Sequence, residues 1–121
     1  MDLNLPEATA VLAVTRFALA ADGDNPFHER AVATLRAFGA CPGYSRGSVA
    51  RSMDSPDHWC LVTEWSSVGA YRRALSSYDV RIAAGTLFAD ALDEPSAYEV
   101  LTTVGGDGEV TSAGSDRADL R

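Results

Sequence analysis

The order in which strands and helices alternate constrains the fold of this chain more than any other feature. The Val-rich apolar run 10–18 predicts a buried strand, and Asn25 followed by Pro26 predicts the start of a helix that ends near Phe38. Two strands, a helical region and a last strand then follow, at residues 44–52, 58–65, 66–92 and 96–104. This order, β-α-β-β-α-β, predicts an α+β, ferredoxin-like fold with a four-stranded antiparallel sheet and helices on one face.

Local signals place the ends of the helices. The first helix has one apolar face at helical spacing, formed by Phe27, Ala31, Leu35 and Phe38. Ser66 or Ser67 is placed to cap the second helical region. That region is predicted to break near Ser76 and Ser77 before it resumes toward Leu92.

The second and third strands are predicted to form a hairpin, because a short Asp/Ser/Pro-rich turn separates them. The predicted register places Arg51 opposite His58 and Cys60 opposite Val49. Cys41 then lies beyond the far end of the hairpin. The two cysteines are therefore predicted to be buried, inert thiols rather than a disulfide.

Three segments are predicted along the chain. Residues 1–8 are an N-terminal extension, residues 9–104 form the folded domain, and residues 105–121 form a disordered acidic tail. The tail contains four of the ten glycines and only two aliphatic residues larger than alanine. So few apolar side chains bury too little surface to offset the entropy of ordering the chain.

The first and third strands are apolar on both faces. One face contains Leu12, Val14, Cys60 and Val62, and the other contains Ala13, Phe17, Trp59, Leu61 and Trp65. Helices on one side of the sheet cover only one of these faces, and a large exposed apolar face is typical of an interface. The pattern predicts a homodimer packed sheet to sheet, with a monomer that exposes this patch as the alternative.

Composition excludes several classes of function. The net charge is −7, and all ten basic residues are scattered arginines, so a nucleic-acid partner is not expected. The absence of lysine excludes Schiff-base chemistry. No apolar run is long enough to predict a membrane span, and residues 1–7 lack the basic start of a secretory signal, so we expect a cytoplasmic protein.

Three charged or titratable residues require an explanation of their own. Arg16 interrupts the first strand and is predicted to pair with Glu64 or Glu99 on the flanking strands, with anion binding as the alternative. His28 lies off the apolar face of the first helix, where a surface role and a general base both remain open. Neither His28 nor His58 has the i, i+4 partner typical of a metal site.

Between the first and last strands the chain resembles the antibiotic biosynthesis monooxygenase family of small dimeric α/β-barrel proteins. The resemblance covers residues 9–104 and rests on short segments at the starts and ends of the strands, at residues 42–44, 57–59, 61–65, 68–72 and 93–100. It implies a small-molecule pocket between sheet and helices and a homodimer formed through the sheet. It also implies oxidation by molecular oxygen without metal, haem or flavin.

The resemblance also implies which residues form the site. The predicted catalytic residues are Trp65 and Tyr71, with packing in the core and the dimer as the alternative role of both. Arg81 is predicted to substitute for an arginine that the polyketide-oxidising members carry near Ala84 and Gly85 of this chain, with a surface arginine as the alternative. The predicted substrate pocket consists of Thr15, Phe17, His28, Leu61 and Thr63. Trp and Tyr rings suit a flat aromatic ligand, and a Tyr hydroxyl or an Arg can bind its oxygen.

The chain differs from two groups of family members at the positions of their functional residues. Leu61 stands where the polyketide-oxidising members carry an asparagine, and the haem-degrading members' Asn, Trp and His correspond to Thr15, Ala74 and Ala84. Haem degradation is therefore not expected. The chain is predicted to be a cofactor-independent monooxygenase acting on an anthrone- or hydroquinone-like aromatic. The alternative is a non-catalytic small-molecule-binding protein of the same fold.

Overall fold

A computed structural model describes residues 9–19 and 24–114, and the predicted N-terminal extension 1–8 lies outside these residues. The elements are β1 (Val11–Ala18), α1 (Asp24–Gly39), β2 (Tyr44–Arg51), β3 (His58–Trp65), α2 (Val68–Leu75), α3 (Tyr78–Ala89), β4 (Ala97–Glu99), β5 (Thr102–Val104) and β6 (Val110–Ser112). Strands β1 to β4 form an antiparallel sheet in the order β2-β3-β1-β4. The predicted ferredoxin-like α+β fold is confirmed.

The core lies between one face of this sheet and the helices. Alternate residues of β1 and β3 point into it, because side chains on a strand alternate between faces. Aromatic rings dominate the packing: the centroids of Phe17 and Phe27 lie 4.9 Å apart, and those of Phe38 and Trp65 lie 5.5 Å apart. Burying such a side chain contributes about 1.5–3 kcal/mol, so these contacts are the main stabilisation of the domain.

The second helical region is divided into α2 and α3 by a break at Ser76 and Ser77, as predicted. Ser67 caps α2 by accepting a hydrogen bond from the Ala70 backbone N–H, and Ser77 caps α3 in the same way. The helix α3 ends at Ala89, so the prediction that it continues toward Leu92 is wrong. The chain turns there because the Leu92 N–H donates to the Arg16 carbonyl on β1, which ties this segment to the sheet.

The register of the β2–β3 hairpin differs by one residue from the prediction. Arg51 lies opposite Trp59 rather than His58, and Cys60 lies opposite Ala50. The Ser52 N–H donates to the His58 carbonyl and thereby adds one pair to the hairpin before the turn begins. Both cysteines are free thiols, as predicted, but each is half-buried rather than buried.

The C-terminal part of the fold departs most from the prediction. The predicted single strand 96–104 is wrong: β4 is three residues long, and β5 leaves the sheet to pair with β6. The strand β6 lies inside the segment 105–121 that was predicted to be disordered, and residues 115–121 lie outside the described residues. Gly108, with a φ of 86°, permits the turn between β5 and β6.

None of the helices in the described part of the chain covers the second face of the sheet. Its central residues Leu12, Val14, Cys60 and Val62 are half-buried. Ion pairs stand at its margins: Arg16 binds Glu94 through two hydrogen bonds of 2.6 and 2.8 Å, and Arg46 binds Glu64 at 2.8 Å. We call this surface the open face.

The prediction that Arg16 pairs with Glu64 or Glu99 is therefore wrong. Glu64 lies opposite Leu12, four residues along β1 from Arg16, and is bound by Arg46 instead. Glu99 lies opposite Val11, so its side chain belongs to the other face of the sheet. The loop residue Glu94 reaches Arg16, and the hydrogen bond with Arg16 lowers the pKa of Glu94 below its usual value.

Candidate active site

A cavity of about 350 Å³ lies between helix α2 and the edge strand β4. It is lined by Val11, Val68, Tyr71, Arg72, Ala97, Tyr98 and Glu99. Its volume is at the lower end of the range of about 300–1,000 Å³ for small-molecule sites. Apolar walls with a phenol and a few charges are the composition expected of a site for a small aromatic ligand. We call this space the α2–β4 cavity.

Tyr71 is the predicted catalytic residue that lines this cavity. The Ser67 cap fixes the first turn of α2, and the Tyr71 backbone N–H donates to the Ser67 carbonyl. Burial raises the pKa of the Tyr71 phenol above its ordinary value. The phenol is therefore protonated at neutral pH and can donate a hydrogen bond to an oxygen atom of a ligand.

Trp65 lies behind Tyr71, in the core. Its ring centroid is 5.7 Å from that of Tyr71, and only 1% of Trp65 is exposed. The indole N–H donates to the Thr63 hydroxyl at 2.9 Å, so its hydrogen-bonding capacity is already satisfied. Trp65 thus supports Tyr71 from the core side and does not line the α2–β4 cavity.

The strand wall of the cavity is formed by β4, which is the edge strand of the sheet among the described residues. The Val14 N–H donates to the Ser96 carbonyl, and the Val100 N–H donates to the Ala10 carbonyl. In an antiparallel ladder the residues between such pairs direct their backbone N–H and C=O groups to the opposite edge. The backbone groups of Ala97 therefore point away from β1.

The structure brings some of the predicted site residues together and separates others. Thr63, Trp65 and Tyr71 form one cluster. Phe17 and Leu61 are fully buried in the core, and Thr15 is half-buried between them on the same face of the sheet. These residues lie on the helix-facing side of the sheet, and none of them lines the α2–β4 cavity.

The other two predicted site residues lie apart from this cluster. Arg81 is exposed on α3 beside a separate depression, whose lining includes Val80 and Phe88. His28 is exposed on α1. Neither side chain lines the α2–β4 cavity.

A depression of about 380 Å³ lies at the other end of the sheet, near the turn between β2 and β3. Its lining includes Arg16, Arg51 and Trp59. Arg16 is already bound to Glu94, and the Arg51 guanidinium lies over the Trp59 ring at 5.1 Å. Since both cations are engaged within the protein, the α2–β4 cavity is the stronger candidate for ligand binding.

The model of the antibiotic biosynthesis monooxygenase family matches residues 10–85, which span β1 through most of α3. The chain belongs to this family. No curated protein matches the sequence of this family member.

Solved structures of related proteins share its fold. SnoaB, a cofactor-independent oxygenase from Streptomyces nogalater, is 25% identical, and its structure covers 80% of this chain and 98% of SnoaB with a TM-score of 0.69. An Asn-to-Ala variant of SnoaB gives a TM-score of 0.70 with the same coverage. A protein from Deinococcus radiodurans named for the same family is 20% identical and covers 78% of this chain and 96% of its own, with a TM-score of 0.67.

Of the seven residues that line the α2–β4 cavity, sequence reasoning identified only Tyr71. Among the six that it missed, Arg72 has no distinguishing signal, because it and its neighbour Arg73 are both exposed on α2. Arg72 nevertheless lines the α2–β4 cavity, whereas Arg73 lines a different depression. Arg72 lines the cavity because β4 lies beside its side of α2. This placement of β4 is a tertiary feature that no local pattern in the sequence predicts.

Two other features of the described residues bear on ligands and location. No group of three or more His, Cys, Asp and Glu side chains in residues 9–19 and 24–114 is arranged to hold a metal ion. None of the helices in the same ranges has the length and apolar character needed to cross a membrane.

Proposed function

We propose that this family member is a cofactor-independent monooxygenase that oxidises an anthrone- or hydroquinone-like aromatic with molecular oxygen. One observation carries the proposal: a protonated phenol, Tyr71, lines a small cavity beside the apolar residues Val11 and Val68 and is supported from behind by Trp65. The 25% identity with a cofactor-independent oxygenase supports the same reaction class. The aromatic substrate is part of the proposal.

The chemistry needs a substrate that can itself supply electrons to oxygen. Loss of a proton gives an aromatic anion, which transfers one electron to O₂ and then combines with the reduced oxygen to form a peroxide. Cleavage of the O–O bond leaves one oxygen atom on the carbon as a new carbonyl and releases the other as water. An anthrone methylene thus becomes a quinone carbonyl, and one O₂ yields one product oxygen and one water.

The residues of the chain act by binding and positioning in this scheme. The Tyr71 hydroxyl donates a hydrogen bond to the substrate oxygen on which negative charge develops, and this donation favours the reactive anion. Val11 and Val68 exclude water from the ring. Trp65 is a positioning residue that fixes the orientation of Tyr71. Arg81 lies outside the cavity and has no part in this scheme.

A non-catalytic binding protein is the second candidate function. The buried Leu61 favours it, because this position carries an asparagine in the polyketide-oxidising members that the sequence resembles. A leucine side chain has no hydrogen-bonding group, and Leu61 lies in the core rather than on the α2–β4 cavity, so it supplies no polar contact to a bound aromatic. The two functions share the α2–β4 cavity and differ in whether a bound aromatic consumes oxygen.

The proposal includes a homodimer formed through the open face. Four half-buried apolar residues lie at the centre of this face, and two ion pairs lie at its margins. An apolar centre with a charged rim is the usual anatomy of a protein–protein interface. A second copy would cover the residues that the helices leave uncovered.

Oxygen uptake by metal-free protein tests the function. Wild type is compared with Tyr71→Phe, and Tyr78→Phe is the matched control because Tyr78 is an exposed tyrosine on α3 outside the cavity. We expect uptake above autoxidation with at least one anthrone or reduced quinone, and a loss of about 10²-fold in kcat for Tyr71→Phe only. Binding of the aromatics without uptake would favour the second candidate function.

A further inference from the structure

We propose that the ligand of the α2–β4 cavity carries an anionic group, a carboxylate, which is bound by the Arg72 guanidinium. The proposal deepens the proposed function, because it specifies the class of aromatic that this cavity takes. Arg72 is the cation among the residues that line the cavity. It follows Tyr71 directly in the chain, so the two donors belong to the same helical turn.

Arg72 is available to a ligand, unlike several other arginines. Arg16, Arg30 and Arg46 form ion pairs with carboxylates of the protein. Within the ranges that the structure describes, Arg72 forms no ion pair, and its side chain is exposed. A guanidinium presents a planar set of N–H donors that matches both oxygens of a carboxylate.

The surroundings of Arg72 favour one anionic group rather than several. The helix α2 contains no acidic residue, so no carboxylate on this helix competes with a ligand for Arg72. Across the cavity, Ala97 lies on β4, the edge strand of the sheet among the described residues, and its backbone N–H points away from β1 as a neutral donor. Glu99 lies on the same strand wall and disfavours a second anion there.

Because the protein has a net negative charge, a preference for a carboxylated ligand over a neutral one would indicate a local cation at the site. With a net charge of −7, the chain as a whole repels anions. A carboxylated ligand that binds more tightly than its neutral analogue must therefore gain from a local cation. Long-range electrostatics cannot account for such a preference.

The test compares two quinones of nearly equal shape, anthraquinone-2-carboxylate and anthraquinone-2-carboxamide. Their affinities for the full-length protein are measured by isothermal titration calorimetry. We expect wild type to bind the carboxylate about tenfold more tightly than the carboxamide, the gain typical of one charge-assisted hydrogen-bonded pair. Arg72→Gln is expected to abolish the difference, whereas Arg72→Lys keeps part of it.

Arg73→Gln is the matched control, because Arg73 is the next exposed arginine of α2 and lies outside this cavity. It is expected to retain the full preference. Equal affinities in wild type, failure of both quinones to bind, or a preference that survives Arg72→Gln would overturn the proposal. Thermal unfolding of each variant establishes that the arginine substitutions leave the fold intact.

The readout is independent of turnover. A protein that prefers the carboxylate through Arg72 but consumes no oxygen would retain this inference and contradict the monooxygenase proposal. A protein that oxidises neutral anthrones but shows no preference between the two quinones would support the monooxygenase proposal and contradict the role of Arg72.

Discussion

The two faces of the sheet are built from alternate residues of the same strands and have different surroundings. Phe17, Leu61 and Trp65 are at most 2% exposed beneath the helices, whereas Leu12 and Val62 on the open face are half-buried. Both sets are apolar, so hydrophobicity alone does not distinguish them. The covered face stabilises the single chain, and the open face provides a surface that a second copy can bury.

The largest expected effect is on the covered face. Trp65→Ala should lower the free energy of unfolding by about 3–5 kcal/mol, because it leaves a cavity among three aromatic rings. Val62→Ala on the open face should cost clearly less in the same urea titration, at a protein concentration that keeps the assembly unchanged. Equal losses would mean that the two faces do not differ in their contribution to stability.

The next effect concerns assembly. Val62→Asp places an unpaired charge at the centre of the open face and should weaken self-association by more than about 100-fold, since a buried unpaired charge costs several kcal/mol. Ala33→Asp, on the exposed side of α1, is the control and should leave association unchanged. Sedimentation velocity measures both. A monomeric wild type at micromolar concentration would contradict the proposed dimer.

The smallest expected effect is at the margin of the open face. Because the hydrogen bond with Arg16 lowers the pKa of Glu94, the folded state favours the ionised carboxylate. This stabilisation is present above the unfolded-state pKa of about 4.5 and is lost as the pH falls through the lower folded-state pKa. Both groups are solvated, so the contribution is small.

Thermal unfolding of wild type and Glu94→Gln at several pH values measures this contribution. The variant should be slightly less stable at pH 7, and the difference should vanish as the pH falls toward 3. If the stability difference between wild type and Glu94→Gln stayed constant with pH, the Arg16–Glu94 ion pair would not be its cause.

Much of the fold could be predicted from local patterns. The apolar strands β1 and β3, the serine caps at Ser67 and Ser77, and the helix break between them are signalled by residues close together in the chain. The division of the predicted last strand into β4 and β5 could not be predicted in the same way. It depends on the pairing of β5 with β6, in a segment whose composition is typical of disorder.

The candidate site was less predictable than the fold. Tyr71 was identified through the resemblance, but the exposed positions of Arg81 and His28 and the role of Arg72 depend on tertiary placement. The partner of Arg16 was missed for a related reason. Glu94 lies in a loop whose path strand pairing does not determine, so no register argument reaches it.

The most direct test of the account is the fate of isotopically labelled oxygen. Metal-free wild type, supplied with an anthrone under ¹⁸O₂, should form quinone faster than autoxidation, with one labelled oxygen in the quinone and the other in water, and Tyr71→Phe should reduce the rate to near that of autoxidation. Two results would contradict a cofactor-independent monooxygenase centred on the α2–β4 cavity. One is that the anthrones and reduced quinones that bind the protein form quinone no faster than by autoxidation. The other is that Tyr71→Phe forms quinone at the same rate as wild type.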